Sequence, residues 1–244
     1  MMDMEGKTVL ITGAARRIGR EIALAMAASG ANVAFTYRSS AEDARQTLAD
    51  LREFGTGALS LRCDVREERS VIAALRKVEQ TFAGLDVLVN NAGVYETLDF
   101  DKLTVRQWDA MFAANTRGPF LLTRLAAPLL RPRKGRIINI GSLGGVRPWA
   151  SHVHYCASKA ALIMLTQASA KALAPEISVN CVSPGMIWTG KSQPNEYLRH
   201  IARKTPMKRA GTTAEVAAAV KFFATGPHFI TGQVLAVDGG LGLE

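Results

Sequence analysis

Short aliphatic and β-branched runs alternate along the chain with longer stretches whose apolar positions recur every three or four residues. The first run, Thr8-Val9-Leu10-Ile11-Thr12, reads as a buried strand, and an Ala-rich helix follows from Ile18 to Ser29, where Gly30 ends it. The alternation continues with a strand over Asn32 to Tyr37, a helix over Ala41 to Phe54, a strand over Ala58 to Cys63 and a helix over Glu67 to Phe82. After a strand from Leu85 to Val89, helical stretches over Val105 to Ala113 and Gly118 to Leu130 lead to a fifth strand, Arg136 to Ile140. A long helix from His154 to Leu173 precedes a strand over Ser178 to Val182, and a last helix, Ala214 to Ala224, precedes the strand Val234 to Val237. Strands that are apolar throughout are buried on both faces, which requires a parallel sheet with helices on each side. Right-handed crossovers then predict an α/β doubly wound parallel sheet of the Rossmann type. No linker, repeat or low-complexity stretch interrupts the pattern, so residues 1 to 244 are expected to form one domain. The polar, basic segment Trp188 to Lys208 breaks the alternation and is predicted to lie over the sheet's carboxyl edge, where ligands bind in such folds.

Composition narrows the class further. With 48% hydrophobic and 21% charged residues the chain has the profile of a globule with a sizeable core. No apolar run approaches the ~20 residues that cross a bilayer, and the first one is too short for a signal-peptide core, so a cytoplasmic location and no membrane contact are expected. Cys63, Cys156 and Cys181 are scattered and share no metal-ligand spacing, which predicts reduced thiols, no disulfide frame and no metal site. The net charge of +9 is spread along the chain, with its densest cluster at Arg131, Arg133, Lys134 and Arg136. Without a helix-turn-helix or interleaved aromatics this charge does not predict nucleic acid as a ligand. It fits the steering of anionic cofactors and substrates, and the Arg131 to Arg136 cluster offers a surface for an acidic carrier protein.

The junction of the first strand and helix reads Thr12-Gly13-Ala14-Ala15-Arg16-Arg17-Ile18-Gly19. A Gly-rich turn lets backbone amides approach a pyrophosphate, and the helix N-terminus adds partial positive charge. A solvated helix start with two surface arginines would look the same in isolation. The second strand ends in Tyr37-Arg38-Ser39-Ser40, with no carboxylate before Glu42 to accept from a ribose 2′-hydroxyl. Arg38, Arg16 or Arg17, and the hydroxyls of Ser39 and Ser40 instead form an anion site suited to a 2′-phosphate, so NADP(H) is expected over NAD(H).

The strongest chemical signal is Tyr155-Cys156-Ala157-Ser158-Lys159, with Ser142 thirteen residues upstream at the end of the fifth strand. Tyr155 and Lys159 fall one turn apart on one face of a helix. A free phenol has a pKa of about 10, and an ammonium held nearby is expected to lower it toward the operating range. Ser142 would donate to a carbonyl oxygen as charge develops there while Tyr155 delivers a proton, or the reverse for an alcohol.

The phosphate loop resembles the T-G-x-x-x-G-x-G loop of the short-chain dehydrogenase/reductase family, except that Arg17 stands where the middle glycine is usual. In its two consecutive basic residues the loop is also similar to the pteridine-reductase branch. The resemblance, which runs from Gly6 to Gly240, implies roles for further residues. Asp64, followed by Val65, would accept from the adenine amino group, although a cap on the next helix explains it as well. Asn90-Asn91-Ala92-Gly93 resembles the family's N-N-A-G motif, which supports the sheet and borders the adenine-side ribose; a mere turn is the bland alternative, and the placement of these residues and Asp64 at consecutive strand ends favours the cofactor reading. Asn115, in Asn115-Thr116-Arg117-Gly118, resembles the asparagine that ties the lysine to a proton relay. Pro184 and Gly185 resemble the turn that places the nicotinamide carboxamide, with Ile187 and Thr189 where relatives touch it. The closing Ile230-Thr231-Gly232-Gln233 and Val237-Asp238-Gly239-Gly240 resemble an element that packs across a two-fold axis, which implies a homotetramer or a dimer.

Residues 94 to 97, 143 to 153 and 186 to 208 are expected to line the substrate mouth, contributing Tyr95, Trp149, His152, His154, Met186 and Trp188. These aromatics suit a flat ring or simply pack the loops, and His154 is read as a surface residue. Within the family the pattern fits a 3-oxoacyl-carrier-protein reductase. It also fits a pteridine reductase acting on a C=N bond, although better-known members of that branch carry aspartate where Ser142 stands. A sugar or polyol dehydrogenase is a third option, and a non-catalytic NADP-binding regulator a fourth.

Overall fold

The computed structural model describes residues 4–190 and 196–243. In chain order the elements that build the sheet are β1 (Thr8–Ile11), α1 (Arg17–Ala27), β2 (Asn32–Tyr37), α2 (Ala41–Arg52), β3 (Ala58–Arg62), α3 (Glu68–Phe82) and β4 (Val87–Asn90). The second half continues with α4 (Val105–Phe112), α5 (Gly118–Leu130), β5 (Arg136–Ile140), α6 (Val153–Leu173) and β6 (Ser178–Pro184). It closes with β7 (Ile187–Trp188), α7 (Glu196–Lys204), β8 (Gly211–Thr212), α8 (Thr213–Thr225) and β9 (Val234–Val237). Seven strands pair in the order β3-β2-β1-β4-β5-β6-β9, every pair parallel. The predicted doubly wound α/β architecture is therefore the observed one. The strand order reverses between β1 and β4, and the crevice outside their carboxyl ends is where such sheets hold ligands.

Alternate strand positions feed two apolar layers, as the two-residue period of a strand requires. Val9, Ile11, Val33, Phe35 and Val89 pack with Ile22, Met26, Val216 and Val220 of α1 and α8. Leu10, Ala34, Leu88 and Ile137 face the other way, against Val71, Leu75, Leu122 and Leu130 of α3 and α5.

Three features differ from expectation. The segment Trp188 to Lys208 contains α7, and β7 and β8 form a separate two-stranded parallel ladder; residues 191–195 of it lie outside the described residues. The helices predicted on either side of Asn115 are joined by a π-helical turn over Ala113–Arg117, so the chain stays helical from Val105 to Leu130. The basic cluster is divided: Arg131 and Lys134 are exposed, while Arg133 and Arg136 are engaged by the fold. Arg136 starts β5 at the amino edge of the sheet, is 6% exposed and donates to the Phe223 carbonyl at 3.0 Å. Arg133 pairs with the buried carboxylate of Asp86 at 3.2 Å, which also meets Lys7 at 3.4 Å and the Thr8 amide at 2.9 Å. Two of the four basic residues thus hold the amino edge of the sheet, at the opposite end of β5 from the ligand crevice.

Candidate active site

The phosphate loop and the loop after β4 are built around each other. Thr12 Oγ1 accepts from the amides of Asn91 and Ala92 at 3.0 and 2.9 Å, and Asn91 Nδ2 donates to the carbonyls of Thr12 and Gly13 at 2.8 and 3.1 Å. Gly13 lies at φ +65°, and a Cβ there would stand 2.9 Å from Ala92 Cα. At Gly19 a Cβ would meet Asn91 Nδ2 at 2.5 Å. Both glycines are required by close approach, and Asn91 clamps the loop rather than ending a simple turn. Arg17 opens α1 at φ +54°, in the left-handed region that favours glycine, which accounts for the family's usual residue there. An arginine in that conformation costs about 1–2 kcal/mol, so its side chain is retained against a backbone penalty. The helix has no side-chain N-cap, which leaves its first amides turned to the cleft.

A cleft of roughly 410 Å³ opens at this switch point. Gly13, Arg16, Arg17, Ile18 and Gly19 line one wall, and Arg38, Ser39 and Ser40 stand at the end of β2. Asp64 and Val65 come from the end of β3, Asn91, Ala92 and Gly93 from the end of β4, and Thr189 from beyond β7. Pro184, Gly185 and Ile187 do not line it. Pro184 ends β6, the Gly185 amide donates to the Val237 carbonyl at 3.0 Å, and Ile187 pairs with Gly211. Asp64 does not cap α3, whose N-cap position is Glu67. Its carboxylate accepts the Arg66 amide at 3.0 Å and the Arg66 guanidinium at 2.5 to 3.2 Å. That guanidinium holds the Asp64 carboxyl below the usual range. Arg66 also lines the cleft and was not singled out from the sequence, although its spacing of two from Asp64 was the available signal.

Asn115, Ser142, Tyr155 and Lys159 do not line this cleft either; the four, from three elements, converge behind its wall at Gly93, Val94 and Ala114. Ser142 follows β5, is buried, and accepts from the Gly144 amide at 3.0 Å. Tyr155 and Lys159 stand one turn apart on α6, and the Ser142 hydroxyl lies near enough to the Tyr155 phenol to pull its pKa down. Lys159 is 6% exposed and donates to the Ile140 carbonyl at 2.8 Å. Asn115 sits on the π-helical turn, fully buried, with its amide donating to Val94 O and Ser158 Oγ at 3.0 Å and its oxygen accepting from Val94 N at 2.8 Å. A Cβ on Gly93 would stand 3.0 Å from Asn115 Oδ1 and 3.7 Å from Lys159 Nζ, so both side chains border this glycine.

The electrostatics correct one expectation. Burial pushes the Tyr155 phenol up to about 12, against the opposing pull of Ser142. Burial also pushes Lys159 down to about 8. The ammonium lies 5.9 Å from the centre of the Tyr155 ring and is turned to a backbone carbonyl, so in the protein alone desolvation outweighs it. The buried Cys181 thiol, on β6, adjoins Lys159, and burial pushes its own pKa up.

Rings crowd the outer side of Tyr155. Tyr95 meets it edge-on at 4.9 Å, Trp149 lies nearly parallel to it at 6.1 Å, and Tyr95 stacks on His152 at 4.8 Å. Met186 and Trp188 are half-buried near β7. His154 is not on the surface: it is 1% exposed, with Nε2 3.6 Å from Glu96. The helical face next to Tyr155 is covered by the loop after β4, which the sequence did not reveal. Among the described residues no helix is long and apolar enough to cross a membrane.

Comparison with known proteins agrees with this geometry. The profile of a family described as Enoyl-(Acyl carrier protein) reductase matches residues 13–242. A 3-oxoacyl-[acyl-carrier-protein] reductase FabG from Staphylococcus aureus is 35% identical over 96% of this chain and 98% of its own length. The 3beta-hydroxysteroid dehydrogenase 1 of Eggerthella lenta is 34% identical over 99% and 95%. Among solved structures, a short-chain dehydrogenase/reductase from Serratia marcescens BCRC 10948 superposes with a TM-score of 0.93 at 34% identity, covering 98% of this chain and 99% of that one. A blue fluorescent protein from a metagenomic library, in complex with NADPH, superposes with a TM-score of 0.92 at 32% identity and the same coverage.

Proposed function

The chain belongs to the short-chain dehydrogenase/reductase family, and we propose that it is an NADPH-dependent reductase of a carbonyl, reversible to alcohol oxidation, with Tyr155 as proton donor. The observation that carries this reading is the convergence of Ser142, Tyr155, Lys159 and Asn115 behind the Gly93–Val94 wall of a cleft that is lined by Arg16, Arg17 and Arg38 and whose one carboxylate among the described residues, Asp64, is paired with Arg66. The donor set fits a phosphorylated dinucleotide: the amides of Gly13 to Gly19 would meet the pyrophosphate, and Arg16, Arg17, Arg38, Ser39 and Ser40 the 2′-phosphate. Asp64 and Val65 would flank the adenine, and Asn91, Ala92 and Gly93 the adjoining ribose. Tyr155 and Lys159 would hold the nicotinamide ribose, and Pro184, Gly185, Ile187 and Thr189 the carboxamide. When bound, this cofactor supplies the hydride.

The protein's own part is to manage charge on the carbonyl oxygen. Ser142 Oγ accepts from Gly144 N, which leaves its proton to donate to that oxygen. A phenol with its pKa near 12 is fully protonated at neutral pH, which is the form a proton donor needs. Lys159 stabilises the phenolate left behind, and Asn115 fixes the floor by bracing α6 against the loop after β4. The identity to 3-oxoacyl-[acyl-carrier-protein] reductases supports a 3-oxoacyl thioester as the first substrate to try. The position of β9 at the sheet edge, with Leu235 38% exposed, supports assembly through that strand into a homotetramer or dimer. Three free thiols support a cytoplasmic location.

The test is NADPH oxidation with acetoacetyl thioesters, dihydrobiopterin, quinones and keto sugars, repeated with NADH at equal low concentration. Turnover with a carbonyl substrate and NADPH is expected; equal turnover with NADH would remove the cofactor assignment.

A further inference from the structure

At the end of β3 the cleft carries a carboxylate that is already occupied. Asp64 Oδ1 accepts the Arg66 amide at 3.0 Å and Arg66 Nε at 2.9 Å, while Oδ2 accepts Nε at 3.2 Å and Nη2 at 2.5 Å. A carboxylate only accepts, and here both of its oxygens face one guanidinium, the fork geometry that makes such pairs strong. The turn is closed from two further sides. Glu67 N donates to the Asp64 carbonyl at 3.1 Å, and Arg117 Nη2 donates to the Arg66 carbonyl at 3.1 Å. Arg66 is thereby held at backbone and side chain, and its Nη1 takes no part in the pair with Asp64. The side chain is 35% exposed and lines the cleft together with Val65.

Resting on the dinucleotide reading above, we infer that Arg66 is the side chain that meets the cofactor's base, and that Asp64 acts through it as a positioning residue instead of accepting from the adenine amino group. An amino group approaching Asp64 would have to displace a charge-assisted pair. It would also meet the donating edge of the guanidinium, donor against donor. A fixed planar cation instead recognises a purine by the face of its ring, for which the exocyclic amino group is not needed. The ligand class this admits is a phosphorylated dinucleotide carrying any purine of adenine's shape, without selection for the 6-amino donor. The pairing serves the phosphates as well. Among the described residues Asp64 is the one carboxylate lining the cleft, and Arg66 cancels its charge beside an anionic ligand.

The test measures binding of NADPH to the full chain by titration calorimetry, beside its analogue with hydrogen in place of the 6-amino group. The wild type is expected to bind the two within about twofold, because an amino group with no acceptor in the site adds little. Arg66→Ala should weaken the analogue by about fivefold, the size of an exposed cation–ring contact. The same variant should open a preference for NADPH of about tenfold, as Asp64 is released to accept from the amino group. Adding Asp64→Ala to it should close that preference again. A pair that served the fold alone would lower both affinities alike and leave their ratio where it was. With both dinucleotides bound, three results would overturn the inference: a tenfold preference for NADPH in the wild type, a ratio that Arg66→Ala does not move, or a preference that survives in the double variant. Failure of both to bind the folded protein would overturn the cofactor reading, and this inference with it.

Discussion

The two ends of β5 treat buried charge in opposite ways. At its start, Asp86 is met by Lys7, Arg133 and the Thr8 amide, and Arg136 donates to the Phe223 carbonyl while its buried Nε is left without a partner. Past its end, Tyr155 and Lys159 are pushed away from their ordinary pKa values, and their chemistry is turned toward a cleft. The contrast teaches that burial alone does not mark a site: burial also lowers the pKa of Arg136 at the amino edge, but only the carboxyl edge sets its shifted groups beside a cleft.

Mutations should separate the two ends cleanly. Tyr155→Phe is expected to lower kcat by about 10²–10⁴-fold, the usual contribution of a positioned acid. NADPH binding by fluorescence and urea stability should stay near wild type; retained turnover would remove Tyr155 from its role. Asp86→Ala should do the reverse. It strands Lys7, Arg133 and the Thr8 amide and should cost about 2–3 kcal/mol in urea unfolding, while kcat of the folded fraction is unchanged.

Lys159 gives the comparison a pH axis. Its folded pKa, about 8, is depressed from 10.5, so the stability tied to it is present above pH 10.5 and lost as pH falls through 8. Tyr155 is raised from 10 to about 12, so its part is present below pH 10 and lost between 10 and 12. Between pH 8 and 10 only the lysine contributes, and wild-type stability should rise relative to Lys159→Met by a few kcal/mol. A flat difference across that window would show that Lys159 is not desolvated in solution. The smallest effect is expected at Arg17→Gly. Relief of the left-handed backbone should stabilise the protein by about 1 kcal/mol, while the KM for NADPH rises through loss of one guanidinium. An unchanged KM would take Arg17 out of the cofactor end.

Most of the fold was legible because burial on both strand faces leaves a pattern within each segment. The same holds for Tyr155 and Lys159, whose relation is set by four residues of helix, and for the glycines of the phosphate loop. Contacts between distant segments left no such trace. His152 meets Tyr95 across the loop after β4, His154 is covered by that same loop, and Arg133 finds Asp86 across the amino edge. The upward shift of Tyr155 was also beyond the sequence, because spacing placed the lysine near it but not the direction of its ammonium. Helix α7 lay in a segment whose polar character pointed only to an excursion from the sheet.

The π-helical turn at Ala113–Arg117 has a consequence for how this protein tolerates change in length. It carries one residue more than regular winding would, and each residue of an α-helix advances the chain by about 100°. Deleting a single alanine there would let the helix wind regularly and swing Asn115 off Val94 and Ser158 without altering any side chain's chemistry. Proteins that vary freely in residue type along α4 and α5 should therefore still conserve the number of residues between them.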